Sequence, residues 1–337
     1  MSEQNSKYGM MLNVVAILFI IWGILGMMDA KNYTHSGYFT GDDWSVLEVE
    51  AESPAEVAGL QVGDIIKSTG GIAVTDSKAL SSRERAAVGE SRAFVVDRNG
   101  EEVTLELTYA ALPDSNKTNN LIGSLIGLLF VLAGVYANYK HKSELSTAFA
   151  IFSICFGFLF LGGPYLGTGF FSTFIGILST AVVLFAFTAL AIYMLRYPPE
   201  SAFLNGKNKK LIYLPMLIIL VIIVVLEVTQ MDNSATLNTV MRLLFGAFII
   251  SYFLITLITL IRKYNGADAT QRSSSGLTSM LIGTIIGIVP MLIYFTINTL
   301  SPGTDLPGND YVFFTFAAIP IFFLLALNKL NASSAAS

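Results

Sequence analysis

The stretch "SPAEVAGLQVGDIIKSTGG" (residues 53–71) lies between long apolar runs and differs from nearly all of them in composition. The chain has 337 residues, 53% hydrophobic and 13% charged, with a mean hydropathy of +0.63. Ordinary soluble domains carry about 25% charged residues. The charge is concentrated around the quoted stretch: residues 29–117 hold 16 Asp/Glu and 8 Lys/Arg, a net of −8. The rest consists of apolar runs joined by short polar links. This distribution predicts a polytopic α-helical membrane protein with one small soluble α+β insertion.

Eight runs are long enough to cross a hydrocarbon core of about 30 Å at about 1.5 Å per residue: residues 9–28, 121–139, 145–162, 171–195, 211–229, 240–261, 277–299 and 311–327. The first reads as a retained anchor, because Gly26-Met27-Met28-Asp29-Ala30 is a poor small-x-small cleavage site. Eight crossings place both termini on one side. The segments there contain Lys7, Lys140, Lys142, Arg196, Lys207, Lys209, Lys210, Arg262, Lys263, Arg272 and Lys329, whereas the short links opposite (163–169, 230–238 and 300–310) contain no Lys or Arg. Basic residues stay in the cytoplasm. The expected layout is a cytoplasmic N-terminus (1–8), span one (9–28), an extracytoplasmic module (37–110), a seven-span bundle (121–327) and a cytoplasmic tail (328–337), in the inner (cytoplasmic) membrane.

Within the module, "VLEVEAE" (46–52) alternates Leu47, Val49 and Ala51 with Glu48, Glu50 and Glu52, the pattern of a half-buried strand. "AFVVDRNGEEVTLELTY" (93–109) predicts two strands joined at Asn99-Gly100, a favoured tight-turn pair. Between them "DSKALSSRERAAV" (76–88) predicts a helix capped by Thr75 or Asp76 and stopped by Gly89. Pro54 suits a first helical turn, and Gly63 a tight turn before the apolar Ile65-Ile66.

The quoted stretch resembles the bacterial PDZ domain: Ser53-Pro54 opening a short helix, Ala58-Gly59-Leu60 packing it, and Gly63-Asp64 turning into a strand. The resemblance implies a peptide-binding groove. Its carboxylate-receiving loop would be Gly37, Tyr38, Phe39, Thr40 and Gly41, and its wall a helix over residues 77–88 presenting Leu80, Arg83 and Ala87. A peptide ligand or a protein C-terminus would add beside a strand there. The other reading is that this loop merely links span one to the domain and the protein fills its own groove, since a free strand edge needs a partner or a cover.

In the bundle, Glu227 and Arg242 lie near the outer ends of consecutive spans, where they form an ion pair lining an outer pocket or snorkel separately to the interface. "LGGPYLGTG" (161–169), with Gly162, Gly163, Pro164 and Tyr165, reads as a re-entrant turn lining that pocket or a tight interhelical loop. Gly123-x-x-x-Gly127 and Gly283-x-x-x-Gly287 would allow close helix approach, and Pro215, Pro290 and Pro320 are expected to kink their spans. No acidic or basic residue falls mid-membrane, which argues against a proton-coupled transporter.

No motif for a zinc protease, nucleophile elbow or phosphate loop occurs. Cys155 sits in an apolar run, and His35 and His141 lack ligand partners at useful spacing. The expectation is a non-enzyme with no catalytic residues, no metal, no cofactor and no nucleic-acid partner.

One anchor span, an outer PDZ-like domain and seven further spans, with "GLQVGDII", "GGP" at 162–164, Arg196-Tyr197, "FLN" at 203–205 and "NKL" at 328–330, resemble the sensor half of the ComP-type quorum-sensing histidine kinases. The resemblance implies detection of a secreted peptide and signalling to a cytoplasmic partner. After Leu330 the residues are "NASSAAS", with no kinase region, so it implies either a sensor module acting with separate partners or part of a longer chain. A bilayer-anchored adaptor docking envelope proteins is the alternative, and a transporter of a hydrophobic solute a third.

Overall fold

The computed structural model describes residues 3–229, 234–302, 304 and 308–336. The outermost part of the expected cytoplasmic N-terminus, the side chain of Lys7, and parts of the expected outer links at 230–238 and 300–310 lie outside the described residues.

Helix α1 (Glu3–Asp29) leads through a short 3-10 turn (Ala30–Asn32) into the module. There follow β1 (Thr34–His35), β2 (Tyr38–Thr40), β3 (Val46–Val49), α2 (Pro54–Val57), β4 (Ile65–Thr69), β5 (Ile72–Ala73), α3 (Ser77–Ser81), β6 (Ser91–Arg98), β7 (Glu101–Thr108) and β8 (Ala110–Ala111). The main sheet is antiparallel in the order β5-β4-β6-β7. β2 pairs with β3. β1 pairs with β8, Thr34 against Ala111 and His35 against Ala110, so the two ends of the module leave it together, toward α1 and α4 (Asp114–Lys140).

Local chemistry explains these elements. The Ser53 hydroxyl accepts the Glu56 N–H and Pro54 occupies the first turn of α2, a helix start that needs no N–H from proline. The Asp76 carboxylate caps α3 through the Ala79 N–H. Asn99 (φ 57°) and Gly100 (φ 88°) form the β6–β7 turn with both φ angles positive, the conformation that favours Asn-Gly in two-residue hairpins. The core gathers Val46, Ala55, Leu60, Ile66, Phe94, Val96 and Leu107.

Two expectations are corrected. The helix predicted over 76–88 is the five-residue α3, and Gly89, although at φ 84°, stops no helix; beyond Ser82, Arg83 turns to Thr69 within the module while Glu84 and Arg85 meet Tyr165 and Asp29 outside it. In β3 the buried side chain is Val46, and the predicted alternation ends at Val49, with Ala51 exposed and Glu52 at φ 60°.

The bundle comprises α4, α5 (Glu144–Phe160), α6 (Phe170–Arg196), α7 (Leu214–Thr229), α8 (Ala235–Gly266), the short α9 (Ala269–Ser274), α10 (Leu277–Leu300), the one-turn α11 (Asn309–Val312) and α12 (Ala318–Ala336). Among the described residues seven helical segments, α1 included, are long and apolar enough to cross a membrane. The eighth expected span, 145–162, corresponds to the shorter apolar helix α5. α5 has 17 residues, about 26 Å of rise against a core of about 30 Å.

α4 and α5 run antiparallel in near-backbone contact. A Cβ on Gly157 would sit 2.7 Å from the Gly127 carbonyl oxygen, and one on Gly134 3.1 Å from that of Ala150. Gly123 faces open space, so the expected Gly123–Gly127 pair is replaced by Gly127, Gly134 and Gly157. Gly283 and Gly287 do meet α12, at Phe322 and Ile319. Phe130, Phe152, Phe156, Phe187 and Phe316 form an aromatic core among α4, α5, α6 and the turn before α12. Pro290 lies inside α10, whereas Pro215 and Pro320 fall in the first turns of α7 and α12, each of which continues a 3-10 helix.

Candidate functional site

Among the described residues β2 pairs with β3 alone, which leaves its second edge unpaired. Such an edge is where an extended peptide adds to a sheet. Tyr38 turns its ring inward, edge-on to Phe94 at 5.9 Å, and burial pushes its phenol up to about 12. Phe39 is 51% exposed.

The expected loop at 37–41 is largely strand. Gly37, at φ 75°, has its carbonyl occupied by the Glu50 N–H (2.9 Å) and the Ser53 hydroxyl (3.2 Å). The Gly41 N–H is taken by the Ser45 carbonyl at 2.8 Å. Thr40 ends β2 opposite Val46, at a shift in register.

Of the expected groove wall, Leu80 is half-buried on α3. Arg83 is anchored to the end of β4, donating to the Thr69 carbonyl (2.9 Å) and hydroxyl (3.1 Å), close enough to Tyr38 to act on its phenol. Ala87 is exposed, with its N–H held by the Glu90 carboxylate at 2.8 Å.

Sequence reasoning missed a buried ion pair. Arg98 grips Asp64 through two 2.7 Å hydrogen bonds and also donates to the Gly59 carbonyl at 2.8 Å. The Asp64 side chain is 1% exposed, and its bonds with Arg98 hold its carboxyl below the usual range against the opposing pull of burial. The pair fastens the turn of the quoted stretch to β6. Its partners are 34 residues apart, a separation no local pattern reports.

The module is tied to the bundle at two places. At the first, Arg85 grips Asp29 at the end of α1 through two bonds of 3.1 and 3.2 Å, with its guanidinium 5.1 Å from the Tyr33 ring centroid and 4.7 Å from that of Tyr165. The Tyr165 hydroxyl donates to Glu84 (2.7 Å) and accepts the Arg85 N–H (3.1 Å), while its backbone N–H donates to Asp29 (2.9 Å). The Tyr33 hydroxyl donates to the Gly163 carbonyl at 3.0 Å. A Cβ on Gly26 would collide with the Gly162 carbonyl, and one on Gly163 with the Trp22 ring. Gly26 and Gly163 thus permit the close approach of α1 and this loop, whereas a Cβ on Gly162 would meet open space, and the "LGGPYLGTG" segment is a tight interhelical loop. At the second place, Asp42 accepts from Arg242 (2.9 Å) and Thr239 (2.9 Å) of α8, and its carbonyl accepts from Asn238 (3.1 Å). Arg242 also donates to the Thr299 carbonyl.

The expected outer pocket is corrected accordingly. Gly162, Gly163, Pro164 and Tyr165 meet Asp29 and Arg85, Arg242 is taken by Asp42, and Glu227 is exposed on α7 without pairing to Arg242. Among the described residues no three His, Cys, Asp or Glu side chains group as a metal site.

Residues 45–98 match the family model of the PDZ domain. That segment is a PDZ domain. The match begins at Ser45, so β2 joins the domain through its pairing with β3 rather than through the match. The PDZ domain and the apolar helices together describe a membrane protein with a protein-interaction domain. No curated protein and no solved structure matches the chain.

Proposed function

We propose that the protein is a non-enzymatic receptor or sensor module of the cytoplasmic membrane. Its PDZ domain takes up an extended peptide or protein C-terminus along the free edge of β2, on the extracytoplasmic side, and occupancy is passed to the bundle and to a cytoplasmic partner. The distribution of basic residues supports that orientation, with α5 counted as an eighth crossing and both termini inside. One observation carries the reading: residues 83–85, directly after the short groove helix, are shared between groove and bundle. Arg83 holds β4 beside Tyr38, while Glu84 and Arg85 hold α1 and the loop at 161–169. A ligand that moves α3 alters the neighbouring Arg85–Asp29 pair, and a difference in affinity between two arrangements is what shifts a population.

The test is titration of peptides with free C-termini against the full chain in lipid nanodiscs, reading amide exchange at 37–41, 82–90 and 161–169. Protection at 37–41 accompanied by changed exchange at 161–169 is expected. Protection confined to the PDZ domain would fit an adaptor instead, and no protection with any peptide would sink peptide recognition. Protease added to intact cells should cut within residues 31–117. Cutting there only in opened vesicles would reverse the orientation.

A further inference from the structure

A cavity of about 1210 Å³ runs between α6, α7 and α8, with its charged residues at the end of α8 opposite the Arg242–Asp42 contact. Its walls are apolar, built from Leu214 and Ile218 of α7 and from Leu244, Ala247, Phe248 and Ile255 of α8. Its charged lining residues are Arg262, Lys263 and Glu200, among the polar Ser201, Gln271 and Ser275. Arg262 is exposed there and has no partner among the described residues. Lys263 is buried, with its ammonium spent on the carbonyls of Met194, Leu195 and Tyr197 where α6 ends. Lys209 and Lys210 are exposed on the 3-10 helix Lys207–Tyr213, whose Leu211 and Ile212 also line the cavity. Among the described residues Glu200 is the one carboxylate in the lining.

The geometry points to a phospholipid site. We propose that one anionic phospholipid, from the leaflet opposite the PDZ domain, places its phosphate at Arg262 under the field of Lys209 and Lys210 and lays an acyl chain between α7 and α8. Three observations favour this occupant. Basic pockets between spans recognise anionic headgroups. The lining along α8 from Arg262 to Leu244 rises about 27 Å, more than the roughly 15 Å depth of one hydrocarbon leaflet. Ile219 is the one fully buried residue of α7, which packs on the core through Met216, Leu220 and Ile223 and leaves its Leu214 and Ile218 to the apolar cleft. The proposal is independent of peptide recognition, because its readout is retained lipid.

The experiment is native mass spectrometry of the full-length protein taken from nanodiscs containing phosphatidylglycerol or phosphatidylcholine. One phosphatidylglycerol is expected to survive delipidation that strips phosphatidylcholine. Each exposed cation removed should weaken retention about five-fold, so Arg262→Gln with Lys209→Gln and Lys210→Gln should weaken it about 100-fold. Ala247→Trp, which fills the cleft, should abolish retention. If Ala247→Trp fails to fold, the triple variant, confined to exposed side chains, decides. Equal retention of the two lipids, unchanged retention in the triple variant, or displacement of the lipid by inorganic phosphate at matched concentration would each overturn the proposal.

Discussion

Replacing Arg85 with alanine should detach one corner of the PDZ domain from the bundle without unfolding either. The guanidinium makes two charged hydrogen bonds to Asp29, with the two side chains 24% and 17% exposed. Partly buried charged hydrogen bonds contribute about 1.5–3 kcal/mol, and partial exposure favours the lower half of that range. Contacts with the Tyr33 and Tyr165 rings add about 0.5 kcal/mol each. The total of about 3 kcal/mol corresponds to a shift of roughly 100-fold between attached and detached forms. Hydrogen exchange on the full chain in nanodiscs reads this directly. Amides at 82–90 and 161–169 should exchange faster, while those of β6 and β7, held by the hairpin ladder, keep their protection. Exchange unchanged at 161–169 would refute the reasoning, and so would equal acceleration in β6 and β7, which would mean that Arg85 supports the domain's own stability.

Arg98→Gln leaves Asp64 buried without its cation and should destabilise the PDZ domain by about 3 kcal/mol, seen as lower urea resistance of the segment in pulse proteolysis. Because the Asp64 carboxyl is held down, its stabilisation is present above the ordinary carboxylate range and is lost as pH falls through its folded value; Asp64→Asn should flatten that acid limb, and an unchanged limb would remove Asp64 as its source. Gly157→Val drives a side chain against the Gly127 carbonyl, where backbone cannot yield; a loss of about 3 kcal/mol is expected, as lower thermal stability in detergent, whereas Gly123→Val should be nearly neutral. Lys263→Met strands three carbonyls at the end of α6 and should lower the melting temperature well beyond the exposed Arg262→Met; equal effects would argue against capping.

How much was legible varies by element. The Asn99-Gly100 hairpin, the helix start at Ser53-Pro54 and most of the apolar runs are local patterns and appear where the sequence placed them; of the two candidate caps Asp76 is the one used, and the run 311–327 divides among a one-turn helix, a 3-10 helix and α12. The predicted groove helix ends early because its pattern was read without distant partners: "SRERAAV" carries helix formers, but Arg83 finds Thr69 across the domain, and Glu84 and Arg85 find Tyr165 and Asp29 outside it, contacts that override propensity. Glu227 and Arg242 were paired on proximity along the chain, whereas Arg242 has a closer acid in Asp42, 200 residues away.

By itself, the sequence determined that apolar helices surround a small charged PDZ domain, because burial and turn formation depend on neighbours a few residues apart. The tertiary structure decided how the two halves join, through Asp29–Arg85 and Asp42–Arg242, and where a cavity opens between α6, α7 and α8. Those features depend on side chains 56 to 200 residues apart meeting in space, and no periodicity along the chain encodes such a meeting.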